Sequence, residues 1–342
     1  MSVQTPPAPP SGPRLDEPSW WSTVGHAREL PIICVLAAVL IGTSLANHGF
    51  LSGQGRVDLM TAVSITALMA VGETFVIVMK HVDLSVGSTL GFAGYVAAYL
   101  VGPGGNALMV FVISSLVGLV IGLINGALVA TLRLPSLVVT LGTLYVVQGL
   151  LAVTASSRVI TQDKLPSALV SFGEHSLLGV PYVMWVTIIA AVIGGWYMHS
   201  RRPGRDLYAI GSNGPAARLV GIPVRRRELM AFAVSGLCAG LAGALWSARF
   251  GGIDTSAGLG YELSVIAACV VGGVSIAGGN GTILGAFVGA LLLQTIGNAL
   301  SALDVPEFWQ QAVNGTLLIL AITVDRLASL RRERVAAREV VA

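Results

Sequence analysis

Apolar residues fill this chain in long unbroken blocks. Leu30–Gly55, Leu134–Ser157, Leu229–Ala248 and Phe308–Val324 carry no charged side chain, and each is about the length a helix needs to cross a bilayer core. Two longer uncharged runs, Leu84–Leu132 and Leu263–Leu303, must each hold two spans, divided at Gly102–Gly105 and Gly278–Gly281. The pattern predicts ten spans at about 30–49, 59–79, 84–101, 107–130, 136–154, 180–198, 229–248, 263–277, 282–302 and 308–324. The fold class expected is an all-α polytopic membrane protein.

One long polar stretch interrupts the second half, His199–Glu228, with seven arginines. Within it Asn213 precedes Gly214 and Pro215 as a polar cap before a first-turn proline. A short helix through Leu219 should end at Gly221, with Pro223 barring its continuation. A capped helix on a basic loop between two spans offers a cytoplasmic partner something to grip.

The spans also repeat. Leu84-Ser85-Val86 answers Leu263-Ser264-Val265, Gly104-Gly105-Asn106 answers Gly278-Gly279-Asn280, and Leu134-Pro135 answers Val305-Pro306. The copies lie five spans apart, an odd number, so they enter the membrane in opposite senses. Inverted repeats place a transport path at the interface between the copies.

Composition changes the picture only by exclusion. At 11% charged residues and 54% hydrophobic, the chain is far from a soluble domain. With the N-terminus inside, Arg14, Arg28, Lys80, Arg133, the seven loop arginines and Arg326, Arg331, Arg332, Arg334 and Arg338 face the cytoplasm. Only Arg56, Arg158, Lys164 and Arg249 face out. That asymmetry orients the chain with both termini cytoplasmic. It also absorbs the basic residues, so the net charge of +3 gives no reason to invoke nucleic acid. Residues 1–28, rich in proline, read as a disordered tail without a signal-peptide pattern; 29–325 form the membrane domain, with 199–228 as its cytoplasmic loop; 326–342 form a basic tail.

No catalytic constellation appears. The two lysines, Lys80 and Lys164, lie outside any phosphate-binding G-x-x-x-x-G-K-[ST] loop, so the chain has no ATP site of that kind. The five histidines fall at span ends or in loops, which gives no metal cluster, and Cys34, Cys238 and Cys269 sit in apolar segments as small buried residues. Glu73 is the carboxylate placed well inside the bilayer. It must face a cavity or a partner, or be protonated, and so either lines a solute path or bonds a neighbouring helix. Asp83, Ser85 and Ser88 join two spans, where they shape a broken entrance to such a path or simply cap the next helix. Asn125 and Gln148 are in-span amides suited to a polyhydroxylated solute or to interhelical hydrogen bonds. Small-xxx-small spacings at Gly118, Gly122, Gly126, at Gly236, Gly240 and at Gly281, Gly285, Gly289 mark close helix packing.

VDLSVGS at Val82–Ser88, GRDLYAIGSNGPAARLVG at Gly204–Gly221, GLGYELSVIAACVVGGVSIAGGNG at Gly258–Gly281 and FWQQAVNG at Phe308–Gly315 give the chain a resemblance. It resembles the permease subunits of bacterial ABC importers for monosaccharides, the ribose/xylose/rhamnose type, within a superfamily shared with branched-chain amino acid permeases. The resemblance implies a type II importer-like fold and a subunit with no chemistry of its own. A cytoplasmic ATPase would bind ATP and magnesium, an extracytoplasmic solute-binding protein would deliver the sugar, and a second permease subunit, identical or related, would complete the pore. It implies that Gly204, Arg205, Gly211, Asn213, Ala216, Ala217, Arg218 and Gly221 couple the ATPase to the spans, leaving Arg225–Arg227 to membrane orientation. An ion-coupled carrier using Glu73 is the competing class, and a branched-chain amino acid the competing substrate.

Overall fold

The computed structural model describes residues 30–306 except 157, and single positions between 309 and 323. The tails at 1–28 and 326–342 and most of the tenth expected span lie outside the described residues. The described positions of that span, such as Trp309, Ala312 and Thr316, are helical.

The first five helices are α1 (Leu30–Ala46), α2 (Gly53–Ile77), α3 (Val86–Val101), α4 (Ala107–Leu132) and α5 (Ser136–Ala155). A surface segment follows, with a 3-10 turn at Gln162–Lys164, the short helix α6 (Ser167–Glu174) and a hairpin of β1 (Ser176–Leu177) and β2 (Val180–Pro181), registered Ser176 to Pro181. The chain continues through α7 (Tyr182–Ser200), α8 (Arg202–Ser212), α9 (Gly214–Leu219), α10 (Val224–Phe250), α11 (Tyr261–Val271) and α12 (Ile283–Ala302). Among the described residues, six helices (α2, α4, α5, α7, α10 and α12) are long and apolar enough to cross a membrane. Helices suit that setting because every backbone polar group within them is satisfied without water.

One expected span comes out shorter and broken. Helix α11 stops at Val271, where the 263–277 expectation would have carried it on, and at 11 residues it reaches only about 16 Å. Residues 272–282 are irregular, with Gly273, Gly278, Gly279 and Gly281 all at positive φ. The matching break precedes α3, at 78–85, where Lys80 adopts φ 67°. Irregular backbone is tolerated at membrane depth only when protein buries it and supplies hydrogen bonds. Here the breaks satisfy each other: Gly279 N–H donates to the Val78 carbonyl at 2.8 Å.

The core is the crossing of α2 and α10. In α2, 89% of the apolar window is buried, against 22% in α5, which presents Leu137, Tyr145 and Val153 outward. Around this pair α4 packs on α10 as α12 packs on α2, and α3 rests on α10 as α11 rests on α2. Those partners map onto each other under the internal repeat, so the packing carries the same two-fold exchange as the sequence.

The small-residue seams are where backbones touch. A Cβ on Gly118 or Gly236 would overlap the other's carbonyl oxygen, and one on Gly240 would overlap that of Ser114. Ser114 Oγ donates to the Gly240 carbonyl at 2.5 Å, which fastens the seam. Gly236→Val should therefore lower stability by about 3 kcal/mol or somewhat more, since backbone rather than a side chain must yield. Melting in detergent checks it, with Gly142→Val, which has nothing within 4 Å, left unshifted. Cys238 and Cys269 are buried as expected, whereas Cys34 is exposed on α1, contrary to the expectation of a buried residue.

Candidate functional site

Helix α2 ends one turn after Glu73, and the break at 78–85 brings the chain back past it. The Asp83 N–H then donates to Glu73 Oε1 at 2.9 Å. Asp83 in turn organises its surroundings: Oδ1 accepts from the Ser85 N–H at 3.0 Å and the Ser85 hydroxyl at 2.6 Å, and Oδ2 accepts from Ser235 Oγ of α10 at 3.0 Å. Asn125 of α4 donates to Ser85 Oγ at 2.8 Å and accepts from Thr143 of α5 at 2.6 Å. Ser88 Oγ donates to the Ser85 carbonyl at 3.0 Å. One network thus ties α2, the break, α3, α4, α5 and α10 together.

Five of the six candidate path residues meet in this network: Glu73, Asp83, Ser85, Ser88 and Asn125. All five are buried, at 2% exposure or less, so in this arrangement they face one another and no open channel. Glu73 does not stand alone as the buried carboxylate, because the fold sets Asp83 beside it. Glu73 Oε2 is buried with no hydrogen-bond partner among the described residues. The sixth candidate, Gln148, lies elsewhere, its Nε2 donating to the Thr255 carbonyl at 2.8 Å and tying α5 to the 251–260 loop. Ser235 and Thr143 belong to the network and were not singled out from sequence. Their only signal was a hydroxyl inside an otherwise apolar span.

The second assembly is the arginine-rich loop, which is two helices rather than one. Helix α9 is capped as its sequence implied: Asn213 Oδ1 accepts from Ala216 N–H at 3.1 Å, and Gly221 turns the chain out at φ 79°. Helix α8, not foreseen, lies beneath it. Its buried Asp206 pairs with Arg227 of α10 at 2.8 Å, so Arg227 pins α8 and is more than an orientation charge. Burial pushes the Tyr208 phenol up from its ordinary pKa, and its hydroxyl donates to the Gly281 carbonyl at 2.9 Å. Gly211 sits directly on the Val78 carbonyl and the Gly279 N–H. Helix α8 therefore rests on both broken-helix segments at the point where they bond each other.

The eight residues proposed to couple divide accordingly. Gly204, Gly211 and Ala217 are buried; Gly204 fits against the Tyr197–Met198 backbone at the end of α7. Arg205, Asn213, Ala216, Arg218 and Gly221 are exposed, although Arg205 turns back to donate to the Ser200 carbonyl at 2.9 Å. The outermost feature was missed: Leu219 and Val220 stand 89% and 74% exposed at the end of α9.

The family described as branched-chain amino acid transport system / permease component matches residues 55–322. The chain is 35% identical over 306 residues to the L-arabinose ABC transporter permease protein AraH of Azospirillum brasilense, covering 90% of this chain and 89% of that one. It is 33% identical to the autoinducer 2 import system permease protein LsrC of Klebsiella pneumoniae, covering 90% of each. LsrC of Salmonella typhimurium is 31% identical, over 88% of this chain and 86% of that one. No solved structure matches the chain.

Proposed function

Because this chain belongs to the branched-chain amino acid transport system / permease component family, we propose that it is the membrane subunit of an ATP-binding cassette importer that carries a monosaccharide or sugar-like molecule inward. The observation that carries the reading is the placement of α8, seated on both helix breaks, with α9 following it and presenting Leu219 and Val220 outward. A partner ATPase that grips the α9 tip and closes on ATP would move α8 as a lever. The lever bears on Val78 and Gly279, and through the 78–85 break on the network around Asp83. Alternating access then follows if the ATPase binds one packing of the spans more tightly than the other, since only differential contacts shift such an equilibrium.

The partners follow from this mechanism. ATP and magnesium belong to the ATPase; this chain needs no cofactor. An extracytoplasmic binding protein would deliver solute to the face carrying α6 and the β1–β2 hairpin, and a second permease subunit, identical or related, would complete the pore. Both termini lie in the cytoplasm of the bacterial inner membrane, on the side of α8 and α9. The arabinose and autoinducer 2 names of the relatives favour a sugar-like solute over a branched-chain amino acid. An ion-coupled carrier relying on Glu73 leaves the α8–α9 lever without a purpose.

Uptake in the native host decides between these readings. Deleting the gene should abolish entry of one labelled monosaccharide and leave leucine entry intact. Collapsing the proton gradient while ATP is maintained should spare that entry. Loss of leucine uptake, or uptake that follows the proton gradient, would overturn the proposal.

A further inference from the structure

The two oxygens of the buried Glu73 carboxyl are unlike. Oε1 accepts the Asp83 N–H at 2.9 Å, while Oε2 meets no donor or acceptor among the described residues. Asp83, equally buried, accepts three donors: the Ser85 N–H, the Ser85 hydroxyl and the Ser235 hydroxyl. Among the described residues no cation answers either acid. The ion pairs His81–Glu228, Arg227–Asp206 and Arg249–Asp58 leave both out, and Lys80 is exposed. The titratable groups that neighbouring helices bring up are thiols. Cys238 of α10 packs on the adjoining Gly72, and Cys269 of α11 lies 3.5 Å from the Ala70 carbonyl and 3.8 Å from the Thr74 hydroxyl.

Two neighbouring carboxyls in such an interior do not both carry charge without a cation. The hydrogen bonds decide which one keeps the proton. Three donors stabilise a negative charge on Asp83. A charged Glu73 would leave an anionic oxygen bare in the core, where a neutral hydroxyl costs far less. We propose that Glu73 works as a neutral carboxylic acid, with its proton on Oε2, and in that form holds the 78–85 break against α2. The break carries the Val78 carbonyl on which Gly211 of α8 rests. Ionising Glu73 would set like charges side by side and push the break off α2, taking the seat of α8 with it. Glu73 is thus a positioning residue for transport and not a coupling ion site. The proton assignment stands on the buried pair, and only the transport consequence rests on the importer reading.

Infrared spectroscopy of the purified full chain at neutral pH tests the proton. The difference spectrum between wild type and Glu73→Gln should contain the carbonyl stretch of a protonated carboxyl, displaced on transfer to deuterium oxide. Uptake in the native host tests the consequence. Glu73→Gln, whose amide oxygen can still accept the Asp83 N–H, should keep at least about half of wild-type uptake. Glu73→Ala strands that N–H and should keep less than about a tenth. A difference spectrum showing only ionised carboxylate bands would overturn the assignment whatever drives transport. So would uptake lost as fully in Glu73→Gln as in Glu73→Ala, or full uptake by Glu73→Ala. If Glu73→Ala does not accumulate in the membrane, the spectrum and Glu73→Gln uptake decide without it. Absence of sugar uptake in wild type would sink the importer reading and leave the spectrum to judge the proton.

Discussion

Gly211→Val should reduce ATP-driven uptake to below about a tenth of wild type while the protein still inserts and accumulates. A Cβ at this position overlaps the Val78 carbonyl oxygen and the Gly279 N–H, both backbone, so no side chain can swing aside to admit it. Helix α8 must lift, and lifting it pulls on the Gly279 to Val78 hydrogen bond that joins the two helix breaks. Over-packing of this kind costs about 1–3 kcal/mol. That is enough to shift a balance between two packings by tenfold or more. Gly214→Val is the matched control, because nothing lies within 4 Å of a Cβ there and the position is the first of α9. Uptake of the labelled solute, normalised to membrane protein by immunoblot, reads both variants. Equal transport by the two would remove the lever from the account.

Asp83→Ala should be the most destabilising single change in the buried network. It strands the Ser85 N–H, the Ser85 hydroxyl and the Ser235 hydroxyl, none of which has water within reach at 1% exposure or less. Unsatisfied buried donors cost about 1–3 kcal/mol each, so a loss of about 3–6 kcal/mol is expected, or roughly 5–15 °C in melting temperature. Ser235→Ala removes one donor together with its hydroxyl and should cost only about 1 kcal/mol. The double variant should fall short of the sum, because Asp83→Ala has already removed the partner of Ser235. Thermal melting in detergent measures all three. Additive effects would mean the two residues do not share a bond.

The sequence carried much of this architecture because the membrane imposes a one-dimensional rule. Uncharged runs of sufficient length become helices, and glycines at four-residue spacing become seams, as Gly118 and Gly122 against Gly236 and Gly240 demonstrate. The α9 cap was legible for a different reason: Asn213, Pro215 and Gly221 act within eight residues of each other along the chain. Helix α8 was hidden because its length and net polarity resemble those of a loop, although Gly204, Leu207 and Gly211 recur at helical spacing and are the face it buries. Helix α6 escaped in the same way, since Leu169 and Val170 are too few to set a pattern alone.

The network around Asp83 was only half visible. Glu73 and Asp83 lie ten residues apart along the chain and suggested separate roles, because the reversal at Lys80 that joins them leaves no compositional trace. Ser235 lies 152 residues from Asp83 and reaches it only through the α2–α10 crossing. The exposed tip of α9 was overlooked because Leu219 and Val220 look unremarkable in so apolar a chain. They become conspicuous only when the fold lifts them out of it.

Co-purification tests the central claim most directly. The tagged chain is drawn from its native membrane as wild type and as Leu219→Asp with Val220→Asp. The account predicts that wild type brings down an ATP-binding cassette ATPase. The double variant should melt at the same temperature and lose the ATPase, because charges replace the apolar tip without disturbing any buried contact. A wild type that captures no such ATPase, or a double variant that captures as much as wild type, would contradict it.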